Sequence, residues 1–134
     1  MLPSPLYSSY KILNLVELTK ENYSSLVSEA ALPIVIEFYS KDCDVCKLLT
    51  PLCEKVSKEY EGRANWAKCD IYVNSEIARK YNIKVASQIA VVYKEKSLGV
   101  FGGAHVSAKG KGAVKEEWLK ERVNKCLESL VKQP

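Results

Sequence analysis

A chain of 134 residues, 47% apolar and 27% charged, is long enough to bury a core as one domain without disulfide staples, which excludes a disordered or low-complexity protein. Its net charge of +4 is spread along the chain. The one Lys/Gly-rich run, "AKGKGAVK" (108–115), reads as a solvated loop rather than a nucleic-acid patch. No window approaches the ~18 apolar residues needed to cross a bilayer.

Residues 1–10, with Pro3 and Pro5, read as a flexible N-terminal arm of a single domain spanning 1–134. The N-terminal stretch has neither a basic segment nor a continuous apolar one, so no signal peptide is expected and a cytoplasmic location follows. "ILNLVELT" (12–19) predicts a short strand, and Thr19 is placed to cap a helix carrying Tyr23, Leu26, Val27 and Ala30 at helical spacing. Pro33 ends that region. "IVIEFYS" (34–40) is β-branched and nearly all apolar, the pattern of a central strand covered on both faces. From Cys43 to about Tyr60, apolar residues at Val45, Leu48, Leu49, Leu52, Val56 and Tyr60 mark one face of a helix, kinked by Pro51 and stopped near Gly62. "ANWAKCDIYV" (64–73) predicts a further strand, and a short helix begins at Asn74 or Ser75. "QIAVVYK" (88–94) and "LGVFGG" (98–103) predict a hairpin turning through "EKS". A last helix, about 113–131, is expected to bury Val114, Trp118, Leu119, Val123, Cys126, Leu127 and Leu130. The order β-α-β-α-β-α-β-β-α implies an α/β fold with a mixed sheet: parallel early strands and a closing antiparallel hairpin.

Five cysteines at irregular spacing do not form the framework of a small secreted domain. Cys43 and Cys46, in "KDCDVCK" (41–47), are the chemically informative pair. They suit a redox couple, half a metal site, or two neighbouring core thiols. Cys43 falls at the N-cap or first turn of the helix, where free N–H groups and the helix dipole stabilise a thiolate. Cys46, one turn in, is shielded and placed to resolve a mixed disulfide on Cys43. Cys53, Cys69 and Cys126 read as buried packing residues, His105 as a solvated loop residue, and Trp66 and Trp118 as core.

The run "VIEFYSKDCDVCKLLTPLCEKVSKEY" resembles the thioredoxin family's strand, C-x-x-C, lysine and proline-kinked helix, with Lys47 and Pro51 at the family's spacing. "AKCDIYVNSEIARKYNI" (67–83) is similar to its third strand and following helix. Gly103-Ala104 falls where the family carries Gly-Ala after the last strand, and the match runs without a gap from Ile34 to Ala104. The resemblance implies a thioredoxin-like fold, a central mixed β-sheet flanked by about four helices. It also implies a thiol–disulfide oxidoreductase with Cys43 as nucleophile and Cys46 as resolver, and no cofactor beyond that disulfide. Glu37 takes the place of the buried acid that assists deprotonation of the second cysteine, and Lys68 that of its lysine partner. Asp42, Asp44, Val45, Ser87 and Gly103 fall at substrate-groove positions. The expected partners are disulfide-containing protein clients and a dithiol or flavoprotein reductase, engaged by a monomer without nucleic acid or membrane.

Four positions depart from the family. Asp42 replaces its tryptophan, Asp44-Val45 its Gly-Pro, Glu37 its aspartate, and Ser87 the cis-proline opposite the cysteines. Asp42 and Asp44 oppose a thiolate on Cys43, which predicts a reducing couple; Lys47 acts the other way. Ser87 restores a backbone N–H and is expected to favour a trans peptide. With no proline there, two other functions stay open: a metal or iron–sulfur site formed by Cys43 and Cys46 of two subunits, and a redox-silent module that binds one client.

Overall fold

Five strands form one sheet, in the order β1-β3-β2-β4-β5, in the computed structural model, which describes residues 15–103 and 112–131. β1 (Val16–Glu17), β3 (Asn65–Asp70) and β2 (Ile34–Tyr39) are parallel; β4 (Gln88–Tyr93) and β5 (Lys96–Gly102) continue the sheet antiparallel. The connections contribute α1 (Ser24–Ser28), α2 (Asp44–Ser57) and α3 (Ser75–Lys80), and α4 (Gly112–Val131) closes the chain. This is the expected element order and the expected thioredoxin-like fold. The N-terminal arm, Val114's side chain, Ala104 and His105 lie outside the described residues, as does the 105–112 loop up to Gly112, where α4 begins.

β2 is central because its β-branched run can be covered on both faces, and side-chain alternation divides the interior into two layers. Ile34, Ile36 and Phe38 pack with Val27 of α1 and Ile77 and Ala78 of α3. Val35 packs on the opposite face with Leu49, Cys53 and Val56 of α2 and Leu119 and Val123 of α4. Glu37 shares the alternation of Val35, so a carboxyl group is set into the apolar layer beneath α2.

The differences from expectation are local. Thr19 caps no helix. Its N–H donates to Asn22 Oδ1 (2.8 Å), Asn22 Nδ2 donates to Glu17 O (2.9 Å), and α1 is a single wide turn closed by Glu29 N–H to Ser24 O (2.8 Å). Leu48 is 52% exposed, because adjacent residues on a helix point about 100° apart and Leu49 takes the core position. α2 ends at Ser57 and tightens through Lys58–Tyr60 before Gly62, whose φ of 82° suits glycine. β3 stops at Asp70 rather than 73, because the Asp70 carboxylate accepts from the N–H groups of Tyr72 and Val73 (2.9 and 3.1 Å) and bends the chain out of the sheet. The hairpin turns on Lys94 and Glu95, both at positive φ (47° and 70°), so β5 starts at Lys96. In α4, Leu119 and Val123 are buried, while Trp118, Cys126 and Leu127 are only partly covered.

Candidate active site

β2 delivers the chain to the sheet's C-terminal edge, where Cys43 N–H donates to Ser40 O (3.3 Å) and the chain enters α2. Cys43 is the N-cap: its backbone is extended (φ −91°, ψ 107°) and its Sγ accepts from Cys46 N–H (3.1 Å). Sulfur here replaces the oxygen of an ordinary N-cap side chain, so one of the helix's free N–H groups, that of Cys46, is aimed at the reactive atom. Cys43 and Cys46 are joined as a disulfide across a Cα–Cα distance of 5.2 Å. Cys46 is 3% exposed and Cys43 half-buried, so a partner reaches the pair through Cys43.

A groove runs beside the disulfide. Cys43, Asp44 and Val45 line it from α2; Val85, Ala86, Ser87 and Gln88 line it from the segment entering β4, with Gly102 of β5. Of the residues expected there, Asp44, Val45 and Ser87 line it with Cys43. Asp42 is exposed just before Cys43 in the chain, and Gly103 lies buried behind Ser87. The Ala86–Ser87 peptide is cis, contrary to the expectation of trans. Trans preference is a property of the isolated peptide. Here the segment is fixed by the sheet: Ser87 O accepts from Gly103 N–H (3.0 Å) and Gln88 pairs with Gly102. Gly103 is required by this contact, since a Cβ there would overlap the Ser87 hydroxyl and stand 2.7 Å from Leu49 Cδ2. Gly103→Ala is therefore expected to destabilise the fold by about 1–3 kcal/mol, measured by urea unfolding.

Beneath α2, against Thr50, Glu37 is 1% exposed. Strand register sets Glu17, Lys68, Glu37 and Ile89 in one row across β1, β3, β2 and β4. Burial raises the Glu37 pKa from 4.5 to about 7, against the opposing effects of the Thr50 hydrogen bonds and the Lys68 charge; Glu54 and Glu17 add to the rise. Lys68 is thus a cross-strand neighbour of Glu37 but makes no ion pair with it, and its ammonium lies 5.5 Å from the centroid of the Tyr39 ring. Tyr39 in turn donates to Glu17 Oε1 (2.7 Å).

Thr50, which the sequence reading passed over, donates to the Glu37 carboxylate and stands 2.8 Å from both of its oxygens. The available signal was its position, one helical turn after Cys46 and above a glutamate in a buried strand. Val85, Ala86, Gln88 and Gly102 were also missed, since only folding brings them to Cys43. The Asp44–Lys47 ion pair (3.5 Å) is largely in solvent and contributes little. Among the described residues, no group of three or more His, Cys, Asp or Glu side chains is arranged to hold a metal ion. Cys53 and Cys69 are free and buried; Cys126, expected to be buried, is free and partly exposed. Trp66 is core, whereas Trp118 packs edge-on against Phe101.

Comparison with known proteins agrees with this geometry. The chain is 34% identical over 70 residues to thioredoxin C-2 of Corynebacterium nephridii, covering 52% of this chain and 65% of that protein. It is 33% identical over 66 residues to the thioredoxin of Rickettsia bellii, covering 49% and 63%. Similarity to the thioredoxin of Buchnera aphidicola subsp. Acyrthosiphon pisum extends over 107 residues at 30% identity, 80% of this chain and 91% of that one. The aligned stretch thus spans just under two thirds of the first two relatives. The family profile described as Thioredoxin matches residues 14–116, and with a C-x-x-C disulfide at the start of α2 the chain belongs to the thioredoxin family.

Proposed function

We propose that this protein is a thiol–disulfide oxidoreductase that reduces protein disulfides through the Cys43–Cys46 couple. The observation that carries this reading is the asymmetry of the pair: one sulfur borders a groove at a helix N-terminus, and the other is buried one turn in. In the reduced protein the Cys43 thiolate attacks one sulfur of a client disulfide. The client S–S bond breaks, a mixed disulfide forms, and the departing client thiolate takes up a proton. The Cys46 thiol then gives its proton to Glu37 and attacks Cys43 Sγ. The mixed disulfide breaks, the second client sulfur leaves, and the Cys43–Cys46 bond forms. Two electrons have passed to the client, and a dithiol or flavoprotein reductase restores them. The Lys68 charge favours ionised Glu37. Asp44, Val45 and Ser87 contact the client in the groove, with Asp42 at its approach and Gly103 holding Ser87 in place. A monomer in the reducing cytoplasm suits this work.

The decisive assay is reduction of insulin or an aromatic disulfide by the purified protein supplied with dithiothreitol; a rate no faster than dithiothreitol alone sinks the reading. Asp42 and Asp44 favour the protonated thiol and a reducing couple. The double variant Asp42→Asn, Asp44→Asn is expected to lower the Cys43 thiol pKa and raise the potential by about 30 mV, tenfold in the exchange equilibrium. Equilibration with glutathione measures it, and an unchanged or more negative potential refutes the role of the two carboxylates.

A further inference from the structure

The Glu37–Thr50 contact carries more than a satisfied hydrogen bond. Glutamate has one more rotatable bond than aspartate, and this one ends in an apolar layer where little else can hold it. Its register partners are Lys68 and Ile89, and the Lys68 ammonium is not in contact with it. From α2 it is faced by Thr50, by the buried Cys53 thiol and by the charge of Glu54; from β1 by the charge of Glu17. Among these, Thr50 makes the hydrogen bonds, at 2.8 Å to each carboxylate oxygen. Thr50 and Cys46 are four residues apart on α2, so they occupy one stripe of the helix above β2.

We infer that Thr50 is a positioning residue, whose hydroxyl holds the Glu37 carboxyl group beneath Cys46 in both of its protonation states and thereby sets when it can accept the Cys46 proton. This rests on the oxidoreductase reading above. A threonine hydroxyl offers one donor and two acceptor lone pairs. Toward ionised Glu37 it donates; toward protonated Glu37 it accepts the carboxyl O–H. Equal distances to the two oxygens suit either arrangement, so the side chain need not swing away when the proton arrives. Without the hydroxyl, ionised Glu37 loses the hydrogen bonds that Thr50 donates, and burial keeps the acid protonated to higher pH.

The test is the titration of Glu37 in the oxidised protein, followed by carboxyl 13C NMR, beside the pH dependence of client-thiol release from the Cys43 mixed disulfide. Thr50→Val and Thr50→Ala are expected to raise the Glu37 midpoint by about one unit, and the limb of the release profile by the same amount. Thr50→Ser is expected to keep both near wild type. Using Ala beside Val guards against a packing defect from either one. An unshifted Glu37 midpoint in both variants overturns the inference, as does a shifted midpoint with an unshifted release profile. A wild type that reduces no disulfide defeats the oxidoreductase reading instead, while the NMR titration still reports the hold of Thr50 on Glu37.

Discussion

Cys43→Ser is expected to lower client reduction by more than about a thousandfold, because a serine hydroxyl at an N-cap remains protonated and forms no disulfide. Cys46→Ser is expected to behave differently. It still attacks, since Cys43 borders the groove, but the mixed disulfide cannot be resolved and accumulates. Mass spectrometry of each variant after exposure to a disulfide-bonded client distinguishes them: a covalent adduct on Cys46→Ser and none on Cys43→Ser. Adducts at Cys46 in Cys43→Ser would reverse the assigned roles. Serine is a good N-cap, so Cys43→Ser should keep the far-ultraviolet spectrum of the reduced wild type.

Glu37→Gln is expected to make the protein more stable and less active at once. The Glu37 carboxyl titrates at about 7 when folded, against an ordinary value of 4.5. Below the lower value both states are protonated and burial of the acid carries no ionisation cost. As pH rises, the unfolded chain ionises first, and the folded state is progressively disfavoured until the pH passes about 7. The shift corresponds to roughly 3 kcal/mol. Glutamine fills the same space and can keep a hydrogen bond to Thr50 without that cost. Urea unfolding should therefore find the variant about equal to wild type near pH 4.5 and more stable by roughly 3 kcal/mol at pH 8. A gap that stays constant across this range would refute ionisation of Glu37 as its source. The price in function is loss of the proton acceptor, read as slower release of the client from Cys43.

Where a segment's own chemistry decided its conformation, it could be read before folding. β2 was legible because Ile34–Tyr39 is β-branched and apolar, and α2 because its buried residues recur every turn. Cys43 lay at their junction and so at an N-cap. What stayed hidden depends on distant partners. The cis peptide before Ser87 answers to Gly103, just past the end of β5 and sixteen residues on. The Lys94–Glu95 turn lacks the Asn-Gly that announces a tight hairpin, so the sequence alone points to a later turn, at "EKS". Thr50 looked like one polar residue among the apolar positions of α2. It acquires a role only when strand register brings Glu37 beneath it. Lys68 was legible as a neighbour of Glu37 but not as one that leans towards Tyr39, since side-chain direction along a row is settled by packing.

The disulfide spans three positions of the sequence. A cross-link so short removes little freedom from an unfolded chain: loop-closure entropy gives roughly 2 kcal/mol for a ring of this size, against nearly 5 for one closing a hundred residues. Both apolar layers, and the sheet between them, are assembled from elements that this bond does not tie together. The architecture consequently has little stake in whether the bond is present. A staple is anchored far apart along a chain and a switch close together; the two sulfurs here are spaced as a switch, able to open and close many times on a scaffold that never refolds.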